Sequence, residues 1–241
     1  MKQMEIKVVF DKETINERLH IGWGLSVLID NKILFDTGEK GEWLLQNMGA
    51  MGINPDDIES VIISHDHWDH TGGLESLLRA KKKKTIVYIC SGFSEKLKEL
   101  ITSCSGEPVE VKKFQEIGKN IYTTGEIPGT YKGASMPEQA VVLKTENGLS
   151  VITGCAHPGI LEILGEVRKH FKKEQLFFVM GGFHLLEKDT GEIAFIVDRF
   201  KTMKVEKVGP CHCSGPGAEK IFAKEYGENF VMVKAGKIVS I

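Results

Sequence analysis

Arginine is scarce in this 241-residue chain, where only Arg18, Arg79, Arg168 and Arg199 accompany the lysines. Lys+Arg 31 against Asp+Glu 33 leaves a formal net charge of -2. There is thus no excess of positive charge to hold nucleic acid or an anionic bilayer. Also missing is any apolar run near the ~20 residues that span a membrane. The opening Met1-Lys2-Gln3-Met4-Glu5 lacks the apolar core and small-residue cleavage site of a secretory signal, and Ile6 to Phe10 follows at once as a strand-like stretch. Cysteine is sparse: five residues, an odd number, widely scattered. Together these absences predict a cytoplasmic protein with reduced thiols, no membrane partner and no nucleic-acid partner.

What the chain does have is enough apolar residue, 41% of the total, for a sizeable core. No long linker, low-complexity segment or repeat interrupts it, so residues 1–241 are expected to form a single domain. Leu25–Ile29 and Lys32–Phe35 flank Asp30-Asn31 and read as a hairpin; Ala140–Lys144 and Leu149–Thr153 flank Glu146-Asn147-Gly148 and read as another. Strand-helix alternation follows each hairpin. In the first half Val61–Ser64 is a strand, Gly73–Ala80 a helix, Thr85–Cys90 a strand, and Ser94 caps a helix bearing Leu97, Leu100 and Ile101. In the second half come a helix with Ile160, Leu161, Leu164, Val167 and Phe171 on one side, a strand Leu176–Met180 and a helix with Ile193, Ile196, Val197, Phe200 and Met203. A strand Val205–Val208, a helix near Ala218–Tyr226 and a closing hairpin of Phe230–Val233 with Lys237–Val239 complete the pattern. The expected class is α/β: two mixed sheets face to face with helices outside. A doubly wound sheet fits less well, because it has no place for the hairpins.

The densest chemistry is His65-Asp66-His67-Trp68-Asp69-His70, three imidazoles and two carboxylates directly after an apolar strand. Alternate side chains leaving a strand project to one side, so His65 and His67 can converge on one ion, and Asp69 and His70 can turn to a second. Imidazole and carboxylate suit divalent zinc, with Mn, Fe or Mg as alternatives. Gly72-Gly73 is expected to let the backbone turn tightly into the next helix. His20 and His170 lie outside any motif and read as structural, and the Lys81–Lys84 run reads as a solvated helix end. Cys155, Cys211 and Cys213 read as small buried residues rather than ligands. The Gly-rich stretch 125–133 is expected to line the site.

The His-x-His-x-Asp-His run resembles the signature of the metallo-β-lactamase superfamily, and other landmarks of that family appear in order along nearly the whole chain. Phe35-Asp36-Thr37-Gly38 is similar to the motif whose Asp supports the metal loop. Gly154-Cys155-Ala156-His157-Pro158-Gly159 is similar to the motif of the third histidine, and Cys211-His212-Cys213-Ser214-Gly215 to the last one. The resemblance implies a four-layer αββα sandwich and one or two divalent ions. It assigns His65, His67 and His157 to one ion, Asp69, His70 and His212 to the other, and Asp36 to support. One departure is plain: the strand after the third histidine ends Phe178-Val179-Met180-Gly181-Gly182-Phe183-His184, without the Asp that bridges the two ions in most hydrolases of the family. Asp189 lies too far along to replace it. His184 is a candidate ligand or catalytic contact with substrate, beside Asp69.

Gly22-Trp23-Gly24-Leu25-Ser26, Met136-Pro137-Glu138-Gln139-Ala140, the Gly-Gly-Phe-His-Leu string at Gly181 and the Pro-Cys-His-Cys-Ser-Gly string at Pro210 resemble a narrower branch. That branch includes the archaeal 7,8-dihydropterin-6-methyl-4-(β-D-ribofuranosyl)aminobenzene 5′-phosphate synthase. The family implies a metal-dependent hydrolase acting through activated water on a phosphate ester, thioester or lactone. The branch implies instead a transferase that joins a pterin to an aminobenzene ribotide, and the missing Asp leaves a third reading, a metal-binding homologue without catalysis. Either enzyme would take an anionic small molecule, and helix N-termini near Gly159 and Gly217 offer backbone N–H groups to its charge.

Overall fold

The computed structural model describes residues 3–241, which divide into two compact units. The first comprises residues 4–112 and 234–240. Its strands are β1 (Glu5–Phe10), β2 (Ser26–Ile29), β3 (Ile33–Phe35), β4 (Ser60–Ile62), β5 (Thr85–Ile89) and β6 (Gly106–Glu110), joined by the late strand β15 (Ile238–Ser240) in the order β15-β1-β2-β3-β4-β5-β6. Pairing is antiparallel from β15 to β3 and parallel from β3 to β6. The switch follows from the connections. A two-residue turn can only reverse the chain, as at Asp30-Asn31 with φ of 45° and 59°, whereas crossover helices let β4, β5 and β6 run parallel.

Those crossovers are α1 (Gly41–Ala50), the one-turn α2 (Trp68–Thr71), α3 (Leu74–Ala80) and α4 (Glu95–Ser103). Leu44, Met48, Leu74, Leu77, Leu78, Leu97 and Ile101 from the helices bury against Val9, Leu28, Leu34, Val61, Val87 and Ile89 of the sheet. Ser94 caps α4 by accepting the Leu97 N–H, as expected. The expectations passed over α1, although Leu44, Asn47 and Met48 recur at helical spacing.

The second unit comprises residues 113–233 together with Gln3 and Ile241. Its sheet runs β14-β13-β12-β11-β8-β7, built from β7 (Gln115–Gly118), β8 (Ile121–Thr123), β11 (Val141–Thr145), β12 (Gly148–Thr153), β13 (Leu176–Gly182) and β14 (Lys207–Cys211). A small hairpin, β9 (Thr130–Tyr131) with β10 (Ala134–Ser135), stands apart from it. The three strands β12, β13 and β14 are parallel, connected by α5 (Ile160–His170) and α6 (Thr190–Thr202). α7 (Gly215–Tyr226) follows β14. Ile163, Leu164 and Val167 of α5, Ile193 and Val197 of α6 and the interlocked rings of Phe183, Phe200 and Phe222 fill the core against Val151 and Val179. Asp189 forms a capping box with Glu192 at the start of α6, so its carboxylate serves the helix.

The closing hairpin predicted from Phe230–Val233 and Lys237–Val239 does not form. Val231 donates to the carbonyl of Val208 beside β14, while β15 pairs antiparallel with β1. Two apolar runs four residues apart look alike in sequence whether they pair with each other or with older strands. The five cysteines are buried and no disulfide joins them. Among the described residues no helix is long and apolar enough to cross a membrane.

Candidate metal centre

The candidate residues cluster beyond the carboxyl ends of parallel strands, with His67, Asp69 and His70 further along, at the start of and within α2. Asp36 follows β3 and His65 follows β4 in the first unit; Cys155 and His157 follow β12, His184 follows β13 and His212 follows β14 in the second. At these ends the chain leaves its ladder and turns. Asp36, Ala156, His184 and His212 all have positive φ, between 49° and 59°, a region that costs an L side chain energy and persists where surrounding structure holds it.

In the first unit one buried carboxylate organises the cluster. Asp36 Oδ1 accepts the Ser64 backbone N–H at 2.7 Å; Asp36 Oδ2 accepts the Ser64 hydroxyl at 2.7 Å and faces His70 Nδ1 at 2.7 Å. Because an ionised carboxylate only accepts, Ser64 must donate to it. The Ser64 oxygen is then the acceptor for His65 Nδ1, 2.8 Å away. Nδ1–H of both imidazoles is thereby committed to these acceptors, so Nε2 is the nitrogen left to bind a metal, once His70 gives up its second proton. Burial disfavours the charged form of His70, but the Asp36 and Asp69 carboxylates outweigh it and push its pKa up to about 10.

The donor spacing suits a metal. Two nitrogens on one tetrahedral ion, with bonds of ~2.0–2.1 Å, lie roughly 3.3 Å apart. His65 Nε2 and His67 Nδ1 are 3.1 Å apart, and His70 Nε2 and Asp69 Oδ2 are 3.4 Å apart. The residues present therefore fit divalent ions. Asp66 differs from its neighbours: its carboxylate accepts the Ser94 N–H at 2.9 Å and ties the loop to α4.

Gly72 and Gly73 form the turn between α2 and α3, as expected. Both have ordinary right-handed φ, -63° and -85°. What they supply is room. A Cβ at Gly73 would lie 2.2 Å from the Thr37 carbonyl oxygen, and one at Gly72 2.2 Å from that of Glu39. The ligand loop is pressed against the segment that carries Asp36.

In the second unit the equivalent clamp is Glu138, whose role went unrecognised in the sequence. It is fully buried, and Oε1 accepts the N–H groups of Cys155 and Ala156 while Oε2 accepts that of His157. One carboxylate thus holds three successive amides. Ligand atoms of Cys155, His157 and His184 lie within 4.8 Å of one another, and Cys155 and His212 are also within that distance. The His184 and His157 rings are 4.6 Å apart between centroids, and Tyr131 packs edge-on against His157 at 5.3 Å. The stretch 125–133 reaches these histidines through Tyr131. A hydrogen bond with Cys213 raises the His184 pKa against the opposing effect of burial.

The residues taken as structural behave so. His20 stacks on Trp43, and His170 pairs with Glu166 in the last turn of α5 and stacks on Phe114. Lys81 donates to the carbonyls of Pro55 and Ile58, and Lys84 pairs with Glu107.

Residues 24–175 match the family model of the metallo-beta-lactamase superfamily, and the chain belongs to that superfamily. Its α/β fold of two mixed sheets with helices is the fold of the family. Among relatives, the 7,8-dihydropterin-6-methyl-4-(beta-D-ribofuranosyl)-aminobenzene-5'-phosphate synthase of Methanocaldococcus jannaschii is 30% identical over 261 residues, covering 90% of this chain and 89% of that protein. The crystal structure of Tm1679, a metal-dependent hydrolase of the beta-lactamase superfamily, is 32% identical and matches with a TM-score of 0.83 over 99% of both chains. YhfI from Bacillus subtilis, a metallo-beta-lactamase fold protein, matches with a TM-score of 0.72 at 13% identity over 100% of both chains, a likeness of fold alone. The fold implies divalent-metal binding, and the His, Asp and Cys donors suit it.

Proposed function

We propose that the protein is a cytoplasmic metal-dependent hydrolase that cleaves a phosphate ester, thioester or lactone in an anionic small molecule. The observation that carries the reading is the Asp36 relay, which leaves Nε2 of His65 and His70 facing His67 and Asp69 at ligand spacing. Family correspondence assigns His65, His67 and His157 to one ion, and Asp69, His70 and His212 to the other; zinc suits imidazole donors best. When bound, such ions lower the pKa of water toward neutrality and polarise the substrate oxygen.

The chain's own groups do the rest. Asp36 fixes the imidazole tautomers. Glu138 holds the His157 loop rigid through three amides. His184, beside Tyr131 and His157, contacts substrate and offers a ring N–H to an oxygen on which charge develops. Asp69 serves as ligand and orients the attacking group.

A second reading rests on the Methanocaldococcus relative, whose name is that of a synthase. In that reading the same centre would assist departure of pyrophosphate from a pterin while the new bond to an aminobenzene ribotide forms. Metal analysis with a substrate panel separates the two. Stoichiometric zinc, turnover of bis(p-nitrophenyl) phosphate and loss of both in His67→Ala are expected for the hydrolase. Condensation of a pterin pyrophosphate with the ribotide, without ester turnover, would replace that reading with the transferase. A purified protein without stoichiometric metal, whose activity survives His67→Ala, would end both.

A further inference from the structure

The missing bridging Asp leaves the proposed pair of dications with little negative charge. Of the six family ligands, five are neutral imidazoles and Asp69 alone is anionic. Two divalent ions held close together repel strongly in a buried site unless further anionic donors lie between them. The strand that should supply the carboxylate has no room for it. A Cβ at Gly182, the last residue of β13, would lie 2.3 Å from the Gly154 carbonyl oxygen, 2.6 Å from Cys213 Sγ and 3.2 Å from Cys155 Cα. The cysteine loop occupies that space.

Cys155 has the required chemistry and position. Its side chain is 4% exposed. Its sulfur lies within 4.8 Å of a ligand nitrogen of His157 and, in a separate cluster, within 4.8 Å of one of His212. These two histidines are assigned to different ions. A sulfur and a nitrogen on one tetrahedral zinc, at ~2.3 and ~2.05 Å from it, are separated by roughly 3.6 Å, inside that limit. Glu138 accepts the Cys155 N–H, and the Cys213 thiol points to the Cys155 carbonyl at 3.6 Å. The backbone of Cys155 is thus anchored on both sides. A coordinating thiol loses its proton to become the ligand, so it brings the charge that the absent carboxylate would have supplied.

We propose that Cys155 is a further metal ligand, its thiolate standing between the ions held at His157 and at His212 in place of the bridging carboxylate. The inference rests on the metal-dependent reading and adds a soft donor to it. It favours zinc, iron(II) or cobalt(II) over magnesium, which prefers oxygen.

X-ray absorption on the zinc-loaded wild-type protein tests this without any substitution. A sulfur scatterer at ~2.3 Å from zinc is expected. Cobalt(II) loading should give a thiolate-to-metal charge-transfer band in the near ultraviolet. That band should vanish in Cys155→Ser and persist in Cys213→Ser and Cys90→Ser. Cys155→Asp should restore metal stoichiometry without the band, while Cys155→Ser should weaken zinc retention about tenfold or more. A nitrogen- and oxygen-only shell around stoichiometric zinc, or a band that survives Cys155→Ser, would overturn the proposal and leave the metal-dependent reading intact. Failure of the wild-type chain to retain any divalent metal would overturn both.

Discussion

Glu138 accepts the backbone N–H of His157 at 2.8 Å, from the segment just before β11 to the loop that follows β12. With its other oxygen it takes the amides of Cys155 and Ala156 at 2.9 and 2.8 Å. Three successive amides therefore share one carboxylate. Hydrogen bonds to a charged group contribute about 1.5–3 kcal/mol each, and their loss in a buried site is not made good by water. Glu138→Ala should lower the stability of the metal-free protein by about 3 kcal/mol or more. The urea midpoint is expected to fall with little change in slope. Glu138→Gln should fall between, since it keeps one acceptor oxygen but sets an NH2 against a backbone donor. An unchanged midpoint in both variants would mean that the loop is held by something else.

Gly73→Ala should be disproportionately harmful for a helix-terminal substitution. An exposed glycine replaced by alanine near a helix start is ordinarily neutral or stabilising. Here the new methyl would meet the Thr37 carbonyl oxygen at 2.2 Å and Leu44 Cδ2 at 2.8 Å. Overpacking of that kind costs about 1–3 kcal/mol and would push the His70 loop away from Asp36. Gly49→Ala, where a Cβ meets nothing within 4 Å, is the matched control in α1. Thermal melts of the pair should move apart; if both rise or both stay level, the close approach is not tight.

Much of this is legible in the sequence. The His65–His70 run lies after an apolar strand, and Asp30-Asn31 and Glu146-Asn147-Gly148 each turn a hairpin, because local chemistry alone dictates those features. Asp36 was legible as a support because its motif is short and contiguous. Glu138 was not: its partners lie 17 to 19 residues later, and only the pairing of β11 with β12 brings them within reach. The same limit hid the fate of Phe230–Val233, whose partner is chosen by tertiary structure and not by its own pattern. The two glycines after His70 form the expected turn into α3, but the space they leave for the Thr37 and Glu39 carbonyls is not legible in sequence, because those partners lie more than thirty residues earlier.

Stability should decline on the acid side through several surface carboxylates. Hydrogen bonds from Lys234, Lys169 and Lys144 hold the pKa values of Glu13, Glu166 and Glu174 below the ordinary 4.5, with burial opposing in each case. A depressed folded-state value means that the stabilisation is present above about pH 4.5 and is lost as pH falls through the lower, folded value. The effect of each pair is small and salt-sensitive, because these groups are partly or wholly exposed. Urea midpoints measured between about pH 3 and 6 should therefore drop on acidification, more shallowly in high salt. Lys144→Met should flatten part of that dependence. A midpoint that rises on acidification would contradict the sign.

Asp36→Asn is the sharpest test of the first-unit cluster, because it changes the hydrogen-bonding pattern at almost constant shape. The carboxylate accepts from Ser64 Oγ and His70 Nδ1 on the same oxygen. An amide can offer acceptance on only one side, and its NH2 would face a group that must donate. If the NH2 takes the Oδ2 position, His70 is driven to the other tautomer, with its proton on Nε2, where the metal should bind. Loss of such support typically weakens metal affinity about 10–100-fold. Zinc competition against a chromophoric chelator should show a drop of that size in Asp36→Asn. Ser64→Ala should show a smaller one, since it unfastens His65 while leaving the Asp36–His70 contact. Nitrogen-15 spectra of the metal-free protein should report the change directly: Asp36 and Asp69 push the His70 pKa up to about 10, so His70 is doubly protonated at neutral pH in the wild type, and its titration should move down in the variant, which lacks the Asp36 charge. Unaltered zinc affinity together with an unaltered His70 spectrum would show that Asp36 positions nothing.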